Sequence, residues 1–110
     1  MRHGPALALL GAALTAAASA PAAHAADAAA GQKKAQACTV CHGAQGLGAA
    51  PDAPHLAGQP AQYLVAQLRA YRDGARKHEV MSLMAKPLSN ADIDDLAAWF
   101  ASIEVQLKAP

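Results

Sequence analysis

The chain has 110 residues and is 54% hydrophobic, but alanines near the N-terminus supply much of that fraction, so the composition overstates the core. Nine lysines and arginines against eight aspartates and glutamates give a formal net charge of +1, without the broad basic face that nucleic-acid binding requires. The basic residues cluster once, at Arg69, Arg72, Arg76 and Lys77. This cluster is either a solvated helix end, where cations are favoured, or a docking patch.

Residues 1–25 have the pattern of a secretory signal peptide. Arg2 and His3 give a short basic start, residues 6–18 form an apolar run, and the stretch ends in an A-x-A sequence at residues 23–25. A retained membrane anchor is the alternative, but this run is shorter than the roughly 20 apolar residues that span a bilayer. Cleavage after Ala25 leaves residues 26–110, which is one small domain.

The mature chain is predicted to begin with a helix over residues 28–37. Asp27 precedes it, and aspartate is a favoured N-cap residue. Gly31 lies inside the helix, where glycine costs about 1 kcal/mol relative to alanine. We therefore expect another helix to pack closely against this position.

The only two cysteines, Cys38 and Cys41, are followed directly by His42. This C-x-x-C-H pattern is typical of covalent c-type haem attachment. Two thiols at i and i+3 share one helical face and can reach one edge of a porphyrin, and the histidine supplies an axial ligand to its iron. A redox disulfide usually occurs between a strand and a helix, which the surrounding sequence does not predict, and a structural zinc site needs four ligands.

Residues 43–59 are predicted to form a long irregular loop with two prolines and four glycines, and a loop of this length in a small domain is usually functional. A metal-bound imidazole normally donates its other ring N–H to an acceptor. Because proline keeps a free carbonyl, Pro54 is the candidate acceptor; the alternative is a simple turn proline.

A second helix is predicted to begin at Pro60, with Leu64, Leu68 and Tyr71 on one face, and to stop at residues 73–74. The following segment, residues 75–87, has no firm periodicity but contains Met81 and Met84. A thioether suits haem iron opposite histidine, so one of these two methionines is expected to be a ligand rather than a core residue. His55 and His78 are the rival sixth ligands.

Ser89 and Asp92 form the acidic variant of a capping box, which predicts the start of a third helix. Apolar residues then keep helical spacing, with Phe100 and part of Trp99 expected in the core. The spaced positions are Ile93, Leu96, Ala97, Phe100, Ile103 and Leu107. The aspartates at 92, 94 and 95 are attributed to helix electrostatics rather than to paired catalytic carboxylates.

Taken together, residues 30–97 resemble a class I c-type cytochrome, and most closely a single domain of the small bacterial periplasmic group that includes the dihaem cytochrome c4 type. The matching stretches are residues 30–32, 38–43, 54–59, 63, 67–68, 71–74, 81, 87–89, 92–93 and 96–97. Only one haem motif is present, so a monohaem protein is expected, and any haem-to-haem transfer would need a partner or a homodimer.

The resemblance implies an all-α class I cytochrome c fold, with three main helices and irregular loops wrapped around one covalent haem c. The first and last helices are expected to cross near Gly31. The family's axial methionine lies eight residues before the serine that begins the last helix, which indicates Met81 rather than Met84 as the iron ligand opposite His42. The family's proline corresponds to Pro54.

The expected function is a periplasmic single-electron carrier that exchanges electrons with redox proteins in the periplasm or at the inner membrane surface. Neither enzymatic chemistry nor a small-molecule substrate is expected. Two alternatives stay open. The domain is a dedicated redox subunit of a periplasmic dehydrogenase or oxidase, or it is a gas-binding or sensory haem protein with a weak sixth ligand.

Overall fold

A computed structural model describes residues 1, 4, 17–20 and 23–110. The predicted signal peptide falls largely outside these residues, and its cleavage stays a prediction. Every regular element in the described part of the chain is a helix, as the sequence predicts. The elements are α1 (Ala28–Lys34), a 3-10 turn (Ala35–Cys38), α2 (Thr39–His42), α3 (Ala61–Asp73), α4 (Glu79–Ala85) and α5 (Asn90–Ser102).

Helix α1 is capped by Asp27, whose carboxylate accepts hydrogen bonds from Ala29 N (2.9 Å) and Ala30 N (3.1 Å). The helix crosses α5 at Gly31, where an added Cβ would lie 1.9 Å from the Asp95 carbonyl oxygen. Only glycine permits this approach of two backbones, so the predicted close packing at Gly31 is confirmed. Helix α1 ends at Lys34, three residues before the predicted limit at Ala37, and the helical path continues through the 3-10 turn and α2 to His42.

Helix α3 begins at Ala61 with Pro60 as its N-cap, one position later than predicted, and ends at Asp73 with Gly74 as its C-cap. It packs against both α5 and α4. Helix α4 is a difference from the sequence prediction, which assigned no regular structure to residues 75–87. Its seven residues are too few for a periodic apolar face to emerge, and α4 buries only Ala85.

Helix α5 starts with the predicted capping box between Ser89 and Asp92. The predicted continuation of its apolar spacing to Leu107 is wrong, because the helix ends at Ser102. Ile103 is extended (φ −76°, ψ 118°), and Leu107 is 92% exposed. Apolar spacing alone therefore overestimated the length of this helix.

The hydrophobic core lies between the 3-10 turn, α3 and α5, with Cys38, Leu56 and Trp99 packed against its edge. Phe100 is buried and Trp99 half-buried, as predicted. The core cluster consists of Ala35, Leu64, Leu96, Ala97 and Phe100. Of the helices in the described part of the chain, none has the length and apolar content to span a membrane.

Candidate haem-binding site

The two cysteines lie on the helical path that leads from α1 into α2. Cys38 ends the 3-10 turn and is half-buried, whereas Cys41 lies in α2 and is exposed, and both are free thiols. Burial raises the pKa of the Cys38 thiol. A less ionised thiol is a weaker nucleophile in disulfide exchange.

His42 is the last residue of α2, and its side chain is directed into the protein with 7% exposure. Its Nδ1 donates a hydrogen bond to the Pro54 carbonyl oxygen at 2.9 Å. This contact holds the ring plane and leaves Nε2 as the nitrogen with a lone pair. The imidazole therefore has the tautomer and the fixed orientation that an axial metal ligand requires.

The loop that carries Pro54 is tied back to the attachment turn by backbone hydrogen bonds. Ala49 N and Ala50 N donate to the Cys41 carbonyl oxygen at 2.8 and 3.0 Å. Gly43 ends α2 immediately after His42 and starts the loop. Its φ of +79° is a backbone conformation that residues with a side chain rarely adopt. The loop is irregular, as predicted, but it has a defined hydrogen-bonded path.

His55 follows Pro54 and adds a side-chain contact to the same loop. Its Nδ1 accepts a hydrogen bond from Gly48 N at 2.7 Å, and its ring is exposed. The loop is also joined to the last helix, because Gly58 N donates to the Phe100 carbonyl oxygen at 2.9 Å. His55 was a rival sixth ligand on sequence grounds, and in the structure its Nδ1 is hydrogen-bonded to a backbone N–H.

Met81 lies in the first turns of α4 and is half-buried, whereas Met84 is 39% exposed. The packing partner of α4 is α3. The structure therefore brings Cys38, Cys41, His42 and Pro54 together directly. Met81 lies on a separate helix, α4, which packs against α3.

An ion-pair network that the sequence did not reveal joins α1 to α5 just before the attachment turn. Asp95 is 1% exposed, and its carboxylate contacts Lys34 Nζ at 2.7 Å, His24 Nε2 at 2.8 Å and the Asp27 N–H at 2.9 Å. The hydrogen bond from Lys34, with those from His24 and Asp27, holds the pKa of Asp95 below its ordinary range. The contact with His24 belongs to the uncleaved chain, because His24 precedes the predicted cleavage point, whereas Lys34 and Asp27 lie in the mature domain. Asp95 is thus a buried partner of α1 and not a surface charge of the first turn.

The basic cluster that the sequence left open makes mostly intramolecular contacts. Arg69 pairs with Asp94 at 3.4 Å, and Arg72 pairs with Asp73 at 3.0 Å. Arg76 hydrogen-bonds Gln67 and lies 4.7 Å from the centre of the Tyr71 ring. These contacts satisfy the three arginines and favour the solvated helix end over the docking patch.

The side chains present fit a covalently attached haem c. Two unpaired thiols occupy positions i and i+3, and the adjacent imidazole is buried with its Nδ1 hydrogen-bonded and its Nε2 available. A thioether in α4 is a soft ligand of the kind that haem iron accepts. This donor set matches the chemistry of a thioether-linked haem and no part of it conflicts with that cofactor.

Comparison with known proteins gives the same assignment. The profile of the family described as "Cytochrome c" matches residues 28–104. The chain is 49% identical over 81 residues to cytochrome c-554(548) of Halomonas halodenitrificans, covering 71% of this chain and 98% of that protein. It is 51% identical over 81 residues to cytochrome c4 of Pseudomonas aeruginosa, covering 73% of this chain and 40% of that protein.

A third relative is a thiosulfate dehydrogenase electron acceptor of Thiomonas intermedia, 49% identical over 77 residues that cover 69% of this chain and 36% of that protein. Among solved structures, reduced cytochrome c4 from Pseudomonas stutzeri superposes with a TM-score of 0.68 at 42% identity, covering 73% of this chain and 47% of that chain. The chain thus spans nearly all of the Halomonas protein but less than half of the other three.

The members of this family bind haem c covalently, with its iron, and this chain carries one attachment motif. The all-helical architecture agrees with the solved relative. The chain belongs to the cytochrome c family, as a class I c-type cytochrome of the c4 type.

Proposed function

We propose that this protein is an exported monohaem electron carrier of the bacterial periplasm. Residues 1–25 direct export, and residues 26–110 form the mature domain. The observation that carries the proposal is the buried His42 ring, fixed by its 2.9 Å hydrogen bond to Pro54 beside two free thiols. Family membership supports electron transfer through a c-type haem as the activity of that site.

In this proposal Cys38 and Cys41 would hold the haem through two thioether bonds, and His42 Nε2 and the Met81 sulfur would ligate its iron. Haem held in this way supplies a one-electron couple between ferric and ferrous iron, and a methionine opposite histidine raises its reduction potential. The His42–Pro54 hydrogen bond keeps the imidazole in one orientation through both oxidation states. Electron transfer forms and breaks no substrate bond, so the proposal assigns no enzymatic step.

The ligand assignment is tested by optical spectra of the protein expressed in a periplasm with haem-attachment machinery. We expect the ferric protein to show a methionine–iron charge-transfer band that Met81→Ala abolishes. Met84→Ala is the matched control on the same helix and should retain the band. A band that survives Met81→Ala means that Met81 is not the ligand.

The same preparation tests export and gas binding. Mass analysis of the mature protein should give an N-terminus at Ala26 and the mass of one added haem. The untreated ferrous protein should not bind carbon monoxide, because a strong-field methionine occupies the sixth position. Rapid binding at neutral pH would instead support the gas-binding alternative.

The partners in this proposal are redox proteins that donate and accept single electrons. One relative is named an electron acceptor of thiosulfate dehydrogenase, which favours, as the second candidate, a dedicated redox partner or subunit of a periplasmic dehydrogenase. Affinity purification from the native periplasm separates the two, since a dedicated subunit should co-purify with a larger enzyme in fixed stoichiometry. Size-exclusion chromatography of the purified protein tests the possible homodimer.

A further inference from the structure

His78 immediately precedes α4. The structure gives it a role different from the sixth iron ligand that the sequence left open. Its backbone is extended (φ −153°, ψ 137°), as is usual for an N-cap residue. Its Nδ1 accepts hydrogen bonds from Val80 N and Met81 N, each at 3.2 Å. The imidazole therefore caps the helix that contains Met81.

The cap is reciprocal. The His78 N–H donates to Ser82 Oγ at 3.0 Å, while the His78 carbonyl oxygen accepts from Ser82 N at 2.9 Å. The His78 side chain thus satisfies two amides of the first turn, and the Ser82 side chain satisfies the His78 N–H. This resembles a capping box, but the returning side chain is the fourth residue of the helix instead of the third. The N–H of Met81 is one of the groups that this arrangement satisfies.

Capping and iron ligation compete for the single nitrogen lone pair of the neutral His78 imidazole. A neutral imidazole has one nitrogen with a lone pair, and a nitrogen that accepts two N–H hydrogen bonds must be that nitrogen. With Nδ1 used by the cap, the proton lies on Nε2, which then cannot bind a metal. In this arrangement His78 is not the sixth ligand.

The cap matters because α4 is weak in isolation. It has seven residues and buries only Ala85, and helices shorter than about 12 residues are marginal in water by themselves. The first turn, which contains Met81, depends on its end contacts more than the corresponding turns of α3 or α5. Loss of the cap is expected to loosen this turn first.

We propose that His78 is a positioning residue that fixes the first turn of α4, and through it the backbone from which Met81 presents its sulfur to the iron. The inference rests on the proposed role of Met81 as axial ligand. It separates the two methionines of α4, since only Met81 has its backbone N–H in the cap.

The test compares His78→Asn with His78→Leu in the holoprotein. Asparagine keeps an acceptor, Oδ1, at the place of Nδ1 and is itself a favoured N-cap residue, whereas leucine has a similar size and no acceptor. Amide hydrogen exchange measured by NMR should be about five- to tenfold faster at Val80 and Met81 in His78→Leu, and near the wild-type rate in His78→Asn. Amides of residues 66–68 in α3 are the internal control and should not change.

The iron provides the second readout. In His78→Leu the methionine–iron band should weaken at a lower temperature than in the wild type, and the ferrous protein should bind carbon monoxide faster than the wild type does. His78→Asn should retain the wild-type behaviour in both measurements. If His78→Leu folds too poorly to study, Ser82→Ala removes the reciprocal acceptor alone and should speed exchange of the His78 amide.

Unchanged amide exchange in His78→Leu, or an asparagine variant as impaired as the leucine variant, overturns the inference. A band that survives Met81→Ala overturns the proposed function instead. The two failures are read from different signals, since amide exchange reports the cap and the optical band reports the ligand.

Discussion

At the residue scale, Gly31 sets how closely α1 approaches α5. A methyl group at this position would lie 1.9 Å from the Asp95 carbonyl oxygen and 2.9 Å from Trp99 Cβ. Because backbone atoms cannot rotate away, Gly31→Ala must push the helices apart. We expect a loss of about 2 kcal/mol or more in the free energy of unfolding, at the upper end of overpacking costs.

Chemical denaturation of the holoprotein measures this effect. Gln32→Ala is the control, since Gln32 is exposed on the same helix and its replacement should change stability by less than about 0.5 kcal/mol. A Gly31→Ala protein as stable as the Gln32→Ala protein would mean that α1 and α5 do not approach each other this closely.

The sequence predicted the residues on the His42 side of the haem site better than those on the Met81 side. The His42–Pro54 hydrogen bond could be predicted, because a metal-bound imidazole needs an acceptor and a loop proline offers a free carbonyl. That this hydrogen bond orients an iron ligand stays a prediction, as does the ligand role of Met81. The hydrogen bonds made by the His55 and His78 side chains could not be predicted, because the partner of a lone histidine depends on how the backbone folds around it.

At the scale of single elements, the capping box should account for much of the stability of the start of α5. Ser89 Oγ accepts from Asp92 N at 3.0 Å, and Asp92 Oδ2 accepts from Ser89 N at 3.0 Å. Ser89→Ala should lower the free energy of unfolding by about 1 kcal/mol. Ser102→Ala at the other end of the helix is the control, and equal losses in the two variants would contradict the role of the cap.

The contact between α1 and α5 should depend on pH through Lys34, which lies 2.9 Å from Asp92 and 2.7 Å from Asp95. The hydrogen bond from Lys34, with those from Ser89, lowers the pKa of Asp92 to about 2, and the pKa of Asp95 also lies below its ordinary value. A carboxyl with a lowered pKa stabilises the fold above its unfolded value of 3.8. That stabilisation is lost as the pH falls through the folded value.

We therefore expect the urea midpoint of Lys34→Met to fall below that of the wild type at pH 6, and the difference to shrink between about pH 4 and pH 2. Methionine keeps the apolar stem of lysine, so the comparison isolates the charge. Lys33→Met is the control, because Lys33 is exposed and forms no ion pair in the described part of the chain. A Lys34→Met deficit of equal size at pH 2 and pH 6 would show that the effect is not electrostatic.

The element boundaries show where the sequence was sufficient and where it was not. Asp27 and Ser89 were correctly identified as N-caps, because an acceptor side chain before a helix acts locally. The end of α5 was not, since Ile103 and Leu107 kept the apolar spacing without a stop signal such as glycine. Helix α4 was missed because its histidine N-cap is not among the residue types that mark helix starts.

At the scale of the whole molecule, the chain has a small core of its own. Of the eight hydrophobic residues that are buried in the described part of the chain, four are alanines, and the larger ones are Leu64, Ile93, Leu96 and Phe100. Large apolar side chains remain exposed, among them Val40 between the two cysteines (81%) and Leu83 in α4 (71%). A domain of this size buries only about 60–65% of its unfolded surface, so the covalent cofactor is expected to contribute much of the folding free energy.

The double variant Cys38→Ser, Cys41→Ser tests this dependence, because it removes both attachment points and keeps two small hydroxyl side chains. We expect the exported, haem-free chain to lose more than half of its far-UV circular dichroism helix signal and its cooperative thermal transition. Cys38→Ser alone is the matched control, since one thioether at Cys41 retains haem and should leave a cooperative, less stable fold. If the double variant unfolds cooperatively near the wild-type temperature, the contacts between α1, α3 and α5 are sufficient for folding, and the haem serves electron transfer alone.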